Sequence, residues 1–170
     1  MRSFKADLHV HTVLSPCGGL DMSPRKIIAR AREKGLDILG VADHNTTLHC
    51  QVMKKVGADQ GIYILCGAEV NTREEVHCLV FFDSPGQLQE FEQIMNALLP
   101  DIPNVPDKFG YQVVVDEQEQ ILREVPRLLI SSVDMSVEDL EETVHAMGGI
   151  FIPAHIDRIR NGIIAQLGFI

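Results

Sequence analysis

Short apolar segments alternate with helical segments along most of this chain, and that alternation constrains its fold more than any other feature. Residues 4–10 are predicted to form a first strand, and Ser23 and Pro24 then supply a capping serine and an N1 proline for a helix that Gly35 closes. Residues 38–41 predict a second buried strand, followed by a polar loop and another helix. Such alternation predicts parallel strands and the α/β class, with ligands bound at the carboxyl ends of the strands.

The pattern continues through the middle of the chain. Residues 62–70 predict a third strand with a break near its centre, and residues 76–82 predict a fourth. Ser84 and Pro85 begin an amphipathic helix. Residues 111–129 are open to two interpretations, because both ends look extended and the acidic piece between them fits a helix or a turn.

The last third of the chain repeats the unit and then breaks off. Ser136 caps a helix, and residues 150–152 predict an apolar strand. Residues 163–170 predict a short helix, a stop at Gly168, and the beginning of another strand. We therefore expect residues 1–170 to form a single domain that lacks its last strands and is incomplete at its C-terminus.

Composition limits the class of protein. With 45% hydrophobic and 23% charged residues the chain has the balance of one globular domain, and it has neither a signal segment nor an 18-residue apolar run. A cytoplasmic location without membrane contact is the default expectation. The net charge of -9 argues against binding an extended nucleic-acid duplex, whereas a small phosphorylated substrate is compatible with it if bound cations reverse the local field.

Two histidines near the end of the first strand are the first candidates for chemistry. His9 and His11 in the sequence DLHVHT lie two residues apart, so a strand presents both imidazoles on one face, where both can reach one metal ion. Asp7 shares that face and is a candidate acceptor for a histidine N–H or an additional ligand.

Later predicted strands carry further candidates at or near their ends. They are His44 in VADHN, Glu69 in GAEV, His77 in EVHCLVFF and His155 in FIPAHIDR. A carboxylate can bridge two cations whereas an imidazole usually binds one, so this set suits a multinuclear metal site. Asp43 and Asn45 could orient His44 or bind substrate, while His49 and His145 fall within predicted helices and are assigned solvated or packing roles.

These motifs resemble the PHP (polymerase and histidinol phosphatase) domain superfamily. The resemblance rests on DLHVHT, ADHN, the Glu69 and His77 motifs and PAHID, and it covers residues 4–160. It implies a distorted (β/α)7 barrel that holds two or three divalent ions, usually zinc, manganese or iron, and hydrolyses phosphoesters. It further implies the following ligands: His9 and His11 for a first metal, Glu69 as the bridge, His77 and His155 for a second metal, and His44 for a third.

The sequence departs from the family pattern at two places. Family members usually supply an Asp-x-His pair on a late strand, but no histidine follows His155 in this chain. A third-metal ligand often follows the first pair of histidines, where this sequence has SPCGG. Cys17 is an alternative soft ligand at that position.

The resemblance implies metal-assisted hydrolysis of a phosphomonoester, a nucleotide or an oligonucleotide end. In that chemistry Asp43 or Asp157 would carry a proton to the leaving group, and Arg158 would either clamp the phosphate or form a surface salt bridge. Two alternatives stay open. An amidohydrolase-type enzyme would need a suitably placed lysine or an equivalent bridge, and a non-catalytic metal-binding or regulatory module would bind ions without turnover. Exposed strand edges leave pairing with a second copy of the chain open as well.

Overall fold

The computed structural model describes residues 3–168. The main sheet has five strands, and a separate hairpin has two. The strands are β1 (Ala6–Val10), β2 (Ile38–His44), β3 (Tyr63–Asn71), β4 (His77–Phe82), β5 (Val113–Val115), β6 (Ile121–Glu124) and β7 (Ile150–Pro153). The helices are α1 (Pro24–Glu33), α2 (Cys50–Ala58), α3 (Pro85–Leu98), α4 (Pro106–Phe109), α5 (Val137–Ala146) and α6 (Ile163–Leu167).

The main sheet is mixed, which corrects the expectation of parallel strands throughout. Its order is β1-β2-β3-β4-β7, with β1, β2 and β3 parallel as predicted, whereas β4 runs antiparallel to both β3 and β7. The reason is the short connection between β3 and β4, residues 72–76, in which the Thr72 N–H donates to the Val76 carbonyl. A parallel pair needs a crossover of a dozen residues or so, and this turn is too short to provide one.

The two faces of the sheet have different surroundings, as the two-residue period of a strand requires. In β3, Ile64, Cys66 and Ala68 pack into the main core, which the residues of α1, α2, α3 and α5 complete. Glu69 is out of phase with these residues and therefore lies on the opposite face. That face carries only a small apolar cluster, in which Ala42 contacts its neighbours from β4 and the segment after β7.

The sheet curls strongly toward the face that carries Glu69. Strands β1 and β7 are the two edges, and four spacings in a flat sheet would separate them by about 19 Å. The rings of His9 and His155, which these edge strands carry, nevertheless lie with centroids 5.9 Å apart. The α/β class is therefore confirmed. Within residues 3–168 the curled sheet does not close into a barrel, since β1 and β7 are not paired.

The ambiguous segment 111–129 folds as the hairpin β5–β6, so its acidic piece forms a turn and not a helix. Glu119 adopts the left-handed conformation in that turn, with φ of 65°, and the Asp116 N–H donates to the Gln120 carbonyl. Val113 and Val115 pack against Val13 in the loop that follows β1. The hairpin thereby packs against the loop that follows His9 and His11, the first two candidate metal ligands.

The predicted serine caps are confirmed at Ser84 and Ser136 but not at Ser23, whose side chain forms no capping hydrogen bond although Pro24 begins α1 as predicted. Ser84 forms a capping box with Gln87, and the Ser136 hydroxyl accepts from the Asp139 N–H. Gly168 ends α6 in the left-handed conformation, with φ of 80°. The strand predicted to begin at residues 169–170 lies outside the described residues. Between residues 3 and 168, no helix combines the length and apolar character that crossing a membrane requires.

Candidate metal centre

A single buried carboxylate, Glu69, collects the histidines that the sequence singled out. Glu69 is 1% exposed. Its Oε1 lies 3.1 Å from His9 Nε2, 3.0 Å from His77 Nδ1 and 3.2 Å from His155 Nε2. Its Oε2 lies 3.2 Å from His11 Nε2 and 3.3 Å from His44 Nδ1. The fold thus brings together all six residues that the sequence predicted as metal ligands.

Strand register explains how distant residues meet at Glu69. In the parallel pair β2–β3, His44 lies directly opposite Glu69. In the antiparallel pair β3–β4, His77 lies opposite Asn71, two residues beyond Glu69 and on the same face. His155 follows β7, where the Ala154 N–H donates to the His77 carbonyl, and His155 itself has a φ of 28°. This unusual backbone conformation accompanies the close approach of its ring to Glu69.

Burial and neighbouring side chains shift the pKa values of the cluster residues. Burial alone would raise the pKa of Glu69, but the close approach of the His11, His77 and His9 rings outweighs that effect and holds the pKa well below its usual range. Burial lowers the pKa of His44 to about 3, against the attraction of Glu69 and with the neighbouring histidines adding to the decrease. His44 is therefore neutral near pH 7, which is the protonation state that binds a metal.

Several ring nitrogens in the cluster have no hydrogen-bond partner of acceptable geometry among the described residues. These buried atoms are His9 Nε2, His44 Nδ1 and His155 Nδ1. The first two lie within 3.3 Å of Glu69 oxygens, but the angles at these contacts do not meet hydrogen-bond geometry. An unpaired buried nitrogen costs about 1–3 kcal/mol, and a divalent cation between the rings and the carboxylate would remove that cost. The donor set therefore fits a metal.

Three overlapping groups of side chains have ligand atoms that all lie within 4.8 Å of one another. They are His9–His11–Glu69, His44–Glu69–His77 and His11–Cys17–His44. The first two share Glu69, as a bridging carboxylate would be shared between two ions. Imidazole nitrogens and a carboxylate oxygen are ligands that zinc, manganese and iron all accept.

Asp43 supports the cluster from behind, which corrects its expected role in proton transfer. Its carboxylate is buried and accepts three hydrogen bonds of 2.7 Å, from the Thr12 N–H, the Thr12 hydroxyl and the Ser15 hydroxyl. The Ser15 oxygen in turn accepts from the His44 N–H and lies 3.2 Å from His11 Nδ1. With both oxygens occupied by the loop after β1, Asp43 positions His11 and His44 instead of meeting a leaving group.

His49 is a supporting residue that the sequence did not reveal. It is the residue before α2 and is completely buried, so of the solvated and packing roles expected for it the packing role agrees with the structure. Its Nε2 accepts from the Val115 N–H at 3.0 Å, and its Nδ1 lies 2.6 Å from the Thr12 hydroxyl, which donates to Asp43. These partners are 66 and 37 residues away in the sequence, so no local pattern indicates the contacts.

The Asn45 side chain forms hydrogen bonds with backbone groups of other segments. Its side-chain N–H groups donate to the Leu129 and Ser131 carbonyls, and its side-chain oxygen accepts from the Asn71 N–H. With φ of 51°, Asn45 turns the chain sharply at the end of β2. Both N–H groups of the amide join this turn to the segment before α5, so Asn45 fixes the backbone beside His44.

The remaining candidates lie toward solvent. Arg158 and Asp157 are exposed beyond β7. Burial is the largest cause of the lowered pKa of His155, which Glu69 opposes and the nearby His77 and Arg158 reinforce, so Arg158 acts electrostatically on the cluster. His145 is exposed on α5, as predicted.

An open cavity adjoins the β1 side of the cluster. It has a volume of about 860 Å³, and Asp7, His9, His11 and Cys17 are among its lining residues. Cys17 is exposed, yet partial burial and the negative charges of Glu69 and Asp43 raise its pKa to about 11. The thiol is therefore within electrostatic reach of the cluster.

Two proteins of one organism are similar to this chain in sequence. An uncharacterised protein of Methanocaldococcus jannaschii, MJ1587, is 33% identical over 78 residues, which is 41% of this chain and 46% of that protein. A second protein of the same organism, MJ0043, is 25% identical over 96% of this chain but only 18% of its own length. The chain therefore spans less than half the length of either relative.

Solved structures share the fold. A Bifidobacterium adolescentis protein assigned as a metal-dependent phosphoesterase superposes with a TM-score of 0.65 at 19% identity, over 93% of this chain and 69% of that one. The lesion-specific endonuclease PfuEndoQ from Pyrococcus furiosus superposes with a TM-score of 0.68 at 18% identity, over 98% of this chain and 38% of that one. The sequence profile of the PHP domain matches residues 7–150, and the chain belongs to that family.

Proposed function

We propose that this chain carries the metal centre of a metal-dependent hydrolase that cleaves a phosphate ester. The observation that carries this proposal is the arrangement around Glu69, where each carboxylate oxygen faces histidine nitrogens from different strands within 3.3 Å. A carboxylate flanked in this way on both sides is suited to bridge two cations. The proposed ligands are His9, His11, His44, Glu69, His77 and His155.

Two or three divalent ions, when bound, supply a hydroxide near neutral pH and electrostatic stabilisation of the phosphate. The protein's own contribution is to keep the ligands neutral and oriented. Burial keeps His44 unprotonated, and the Asp43–Ser15 pair fixes the ring of His11 with Nε2 directed at Glu69. Such support behind the ligands affects metal affinity by about 10–100-fold in comparable sites.

The exposed side of the centre indicates where a phosphorylated substrate would enter. His9, His11 and His155 are the proposed ligands with the most exposed side chains, and the exposed Arg158 follows His155 by three residues. We propose that the Arg158 guanidinium binds the substrate phosphate by charge-assisted hydrogen bonds. Asp157, also exposed there, is a candidate proton donor for the leaving group.

Small phosphomonoesters, nucleotides and oligonucleotide ends are the proposed substrates. The net charge of -9 favours them over an extended duplex. Endonuclease Q, which shares this fold at 18% identity, has been solved with a 27-mer duplex carrying an abasic lesion at its active site. Duplex binding is thus a property of that protein, and its absence from this chain stays a prediction.

The fold alone does not exclude an amide substrate, because an amidohydrolase from Chromobacterium violaceum superposes with a TM-score of 0.58 at 20% identity. Glu69 is the bridging residue that we propose, so a lysine-derived bridge is not required. We therefore prefer phosphoester hydrolysis.

The test begins with elemental analysis of protein purified without chelator, followed by hydrolysis of chromogenic phosphomonoesters and phosphodiesters. We expect two or more metal equivalents and phosphoesterase activity that Glu69→Ala abolishes. Absence of bound metal would overturn the proposal at its base. Metal binding without turnover of any phosphoester would instead support a non-catalytic binding module.

A further inference from the structure

His155 lies in a loop, unlike the proposed ligands on the interior strands β2, β3 and β4. It follows β7 and has a φ of 28°, a backbone conformation that is uncommon outside glycine. Residues 156–160, which come directly after it, are all exposed. Burial of these side chains does not hold the loop in place, so hydrogen bonds must keep the His155 ring 3.2 Å from the Glu69 carboxylate.

Both ends of this loop are bonded to the backbone of one residue, His77. Before His155, the Ala154 N–H donates to the His77 carbonyl at 2.8 Å. After the exposed stretch, the Asn161 carbonyl accepts from the His77 N–H at 2.9 Å. His77 is buried and lies opposite Asn71 of β3, in the interior of the sheet, so it is a fixed anchor. The loop that carries His155 is therefore closed at the start of β4.

Asn161 closes the loop with its side chain as well as its backbone. It adopts the left-handed conformation, with φ of 60°, which asparagine tolerates better than most residues. Its Nδ2 donates to the Glu75 carbonyl at 3.0 Å, in the turn that precedes β4. At Gly162 an added Cβ would lie 2.4 Å from the Arg158 carbonyl oxygen, so the chain folds back closely here. The Asn-Gly pair thus fixes the return of the loop.

We propose that Asn161 is a positioning residue, which holds His155 at the Glu69 cluster by tying the end of its loop to the start of β4. The strand ligands keep their places through the sheet, so the Asn161 side chain acts on His155 alone. Its loss should weaken metal binding although every proposed ligand is still present. This inference rests on the proposed function, since it requires a metal ion that His155 binds.

Zinc affinity of Asn161→Gly tests the proposal without relying on turnover. Glycine accepts the left-handed φ and retains the carbonyl, but it removes the Nδ2 donor. We expect competition with a chromophoric chelator to show zinc binding weakened about three- to tenfold, at or below the low end of the range for groups that orient metal ligands. The loss in His155→Asn is the upper limit, because Asn161 acts only through that ring. Circular dichroism checks that the partly buried position tolerates the change.

Asn104→Gly is the matched control. The Asn104 Nδ2 also donates to a backbone carbonyl, that of Gly110, at 2.9 Å, but in the segment around α4. Urea unfolding of the metal-free proteins measures what each lost bond contributes to the fold itself. We expect Asn104→Gly to retain the zinc affinity of the natural protein, whatever its stability.

A double-mutant cycle distinguishes positioning from general stabilisation. In the His155→Asn background, Asn161→Gly should cause no further loss of zinc affinity, because the ring that Asn161 positions is gone. In the His11→Asn background the loss due to Asn161→Gly should persist in full. His11 faces the other oxygen of Glu69 and follows the opposite edge strand, so the two positions share no contact of this kind.

The outcomes separate the two proposals. Unchanged zinc affinity in Asn161→Gly would overturn the role of Asn161 and leave the proposed hydrolase centre intact. A loss that persists in the His155→Asn background, or that exceeds the loss in His155→Asn alone, would also overturn it. Failure of the natural protein to bind zinc would overturn both proposals together.

Discussion

The two halves of the metal centre differ in how firmly the fold holds them. His44, Glu69 and His77 come from the interior strands β2, β3 and β4, and their side chains are 3%, 2% and 10% exposed. His9, His11 and His155 come from the edge strands β1 and β7 or from just beyond them, and their side chains are 30%, 21% and 17% exposed. An interior strand is paired on both sides, whereas an edge strand is paired on one. The interior half should therefore set metal affinity, and the edge half should set access.

Replacing Glu69, which lies within 3.3 Å of the histidines of both halves, should have the largest effect. In Glu69→Gln the bridging charge is lost while the shape is retained, so added zinc should no longer stabilise the protein. In the natural protein we expect about 2.7 kcal/mol per site when free zinc is one hundred times its Kd. Urea unfolding with and without zinc measures the difference. The exposed Glu75→Gln is the matched control, and retention of the full zinc effect in Glu69→Gln would refute the bridging role.

A pair of substitutions tests whether the interior half binds metal more tightly than the edge half. We expect His77→Asn to weaken zinc binding by about 100-fold or more and His155→Asn by about 10-fold, because only the second ligand can be replaced readily by water. Competition with a chromophoric chelator measures both affinities. His145→Asn, on the exposed face of α5, should have no effect. Equal losses at His77 and His155 would remove the distinction between the two halves.

A smaller effect is expected from His49, which lies behind the candidate metal centre. Burial lowers the pKa of His49 below its ordinary value near 6.5, with Asp43 opposing. The unfolded chain then takes up the proton first, so stability is fully present above pH 6.5 and decreases as the pH falls below it. The slope contributed by one such group is at most about 1.4 kcal/mol per pH unit.

Urea unfolding of metal-free protein between pH 8 and pH 5, in the natural protein and in His49→Gln, measures this contribution. The variant should be less stable at pH 8, because the bonds to Val115 and Thr12 are lost, and its stability should fall less steeply toward pH 5. Parallel pH profiles would show that His49 does not carry the proton linkage.

The smallest effect is expected at the solvent edge. Because Arg158 is exposed, its contact with a substrate phosphate is screened, and Arg158→Gln should raise KM about three- to fivefold with kcat unchanged. Steady-state kinetics on a phosphomonoester measures both. Arg160→Gln, two residues further along the same exposed segment, is the control. A decrease in kcat without a change in KM would place Arg158 in the chemical step instead.

Local sequence patterns were sufficient to predict the parts of this fold that depend on neighbouring residues. The two-residue period placed His9 and His11 on one face, and capping residues located α1, α3 and α5. The antiparallel course of β4 was missed, because helix and strand periodicity carries no information on strand direction. That information lies in the length of the turn at residues 72–76, which is too short for a parallel crossover.

The sequence by itself identified the side chains that we propose carry the chemistry, since residue type and position at a strand end are local properties. Tertiary structure decided what those side chains do. The curl of the sheet brought His9 and His155, from opposite edges of the five-stranded sheet, to Glu69, and long-range contacts made Asp43 and His49 supports for the cluster. Such contacts depend on how strands pair and bend in three dimensions, and residues 37 or 66 positions apart leave no periodic signal of their meeting.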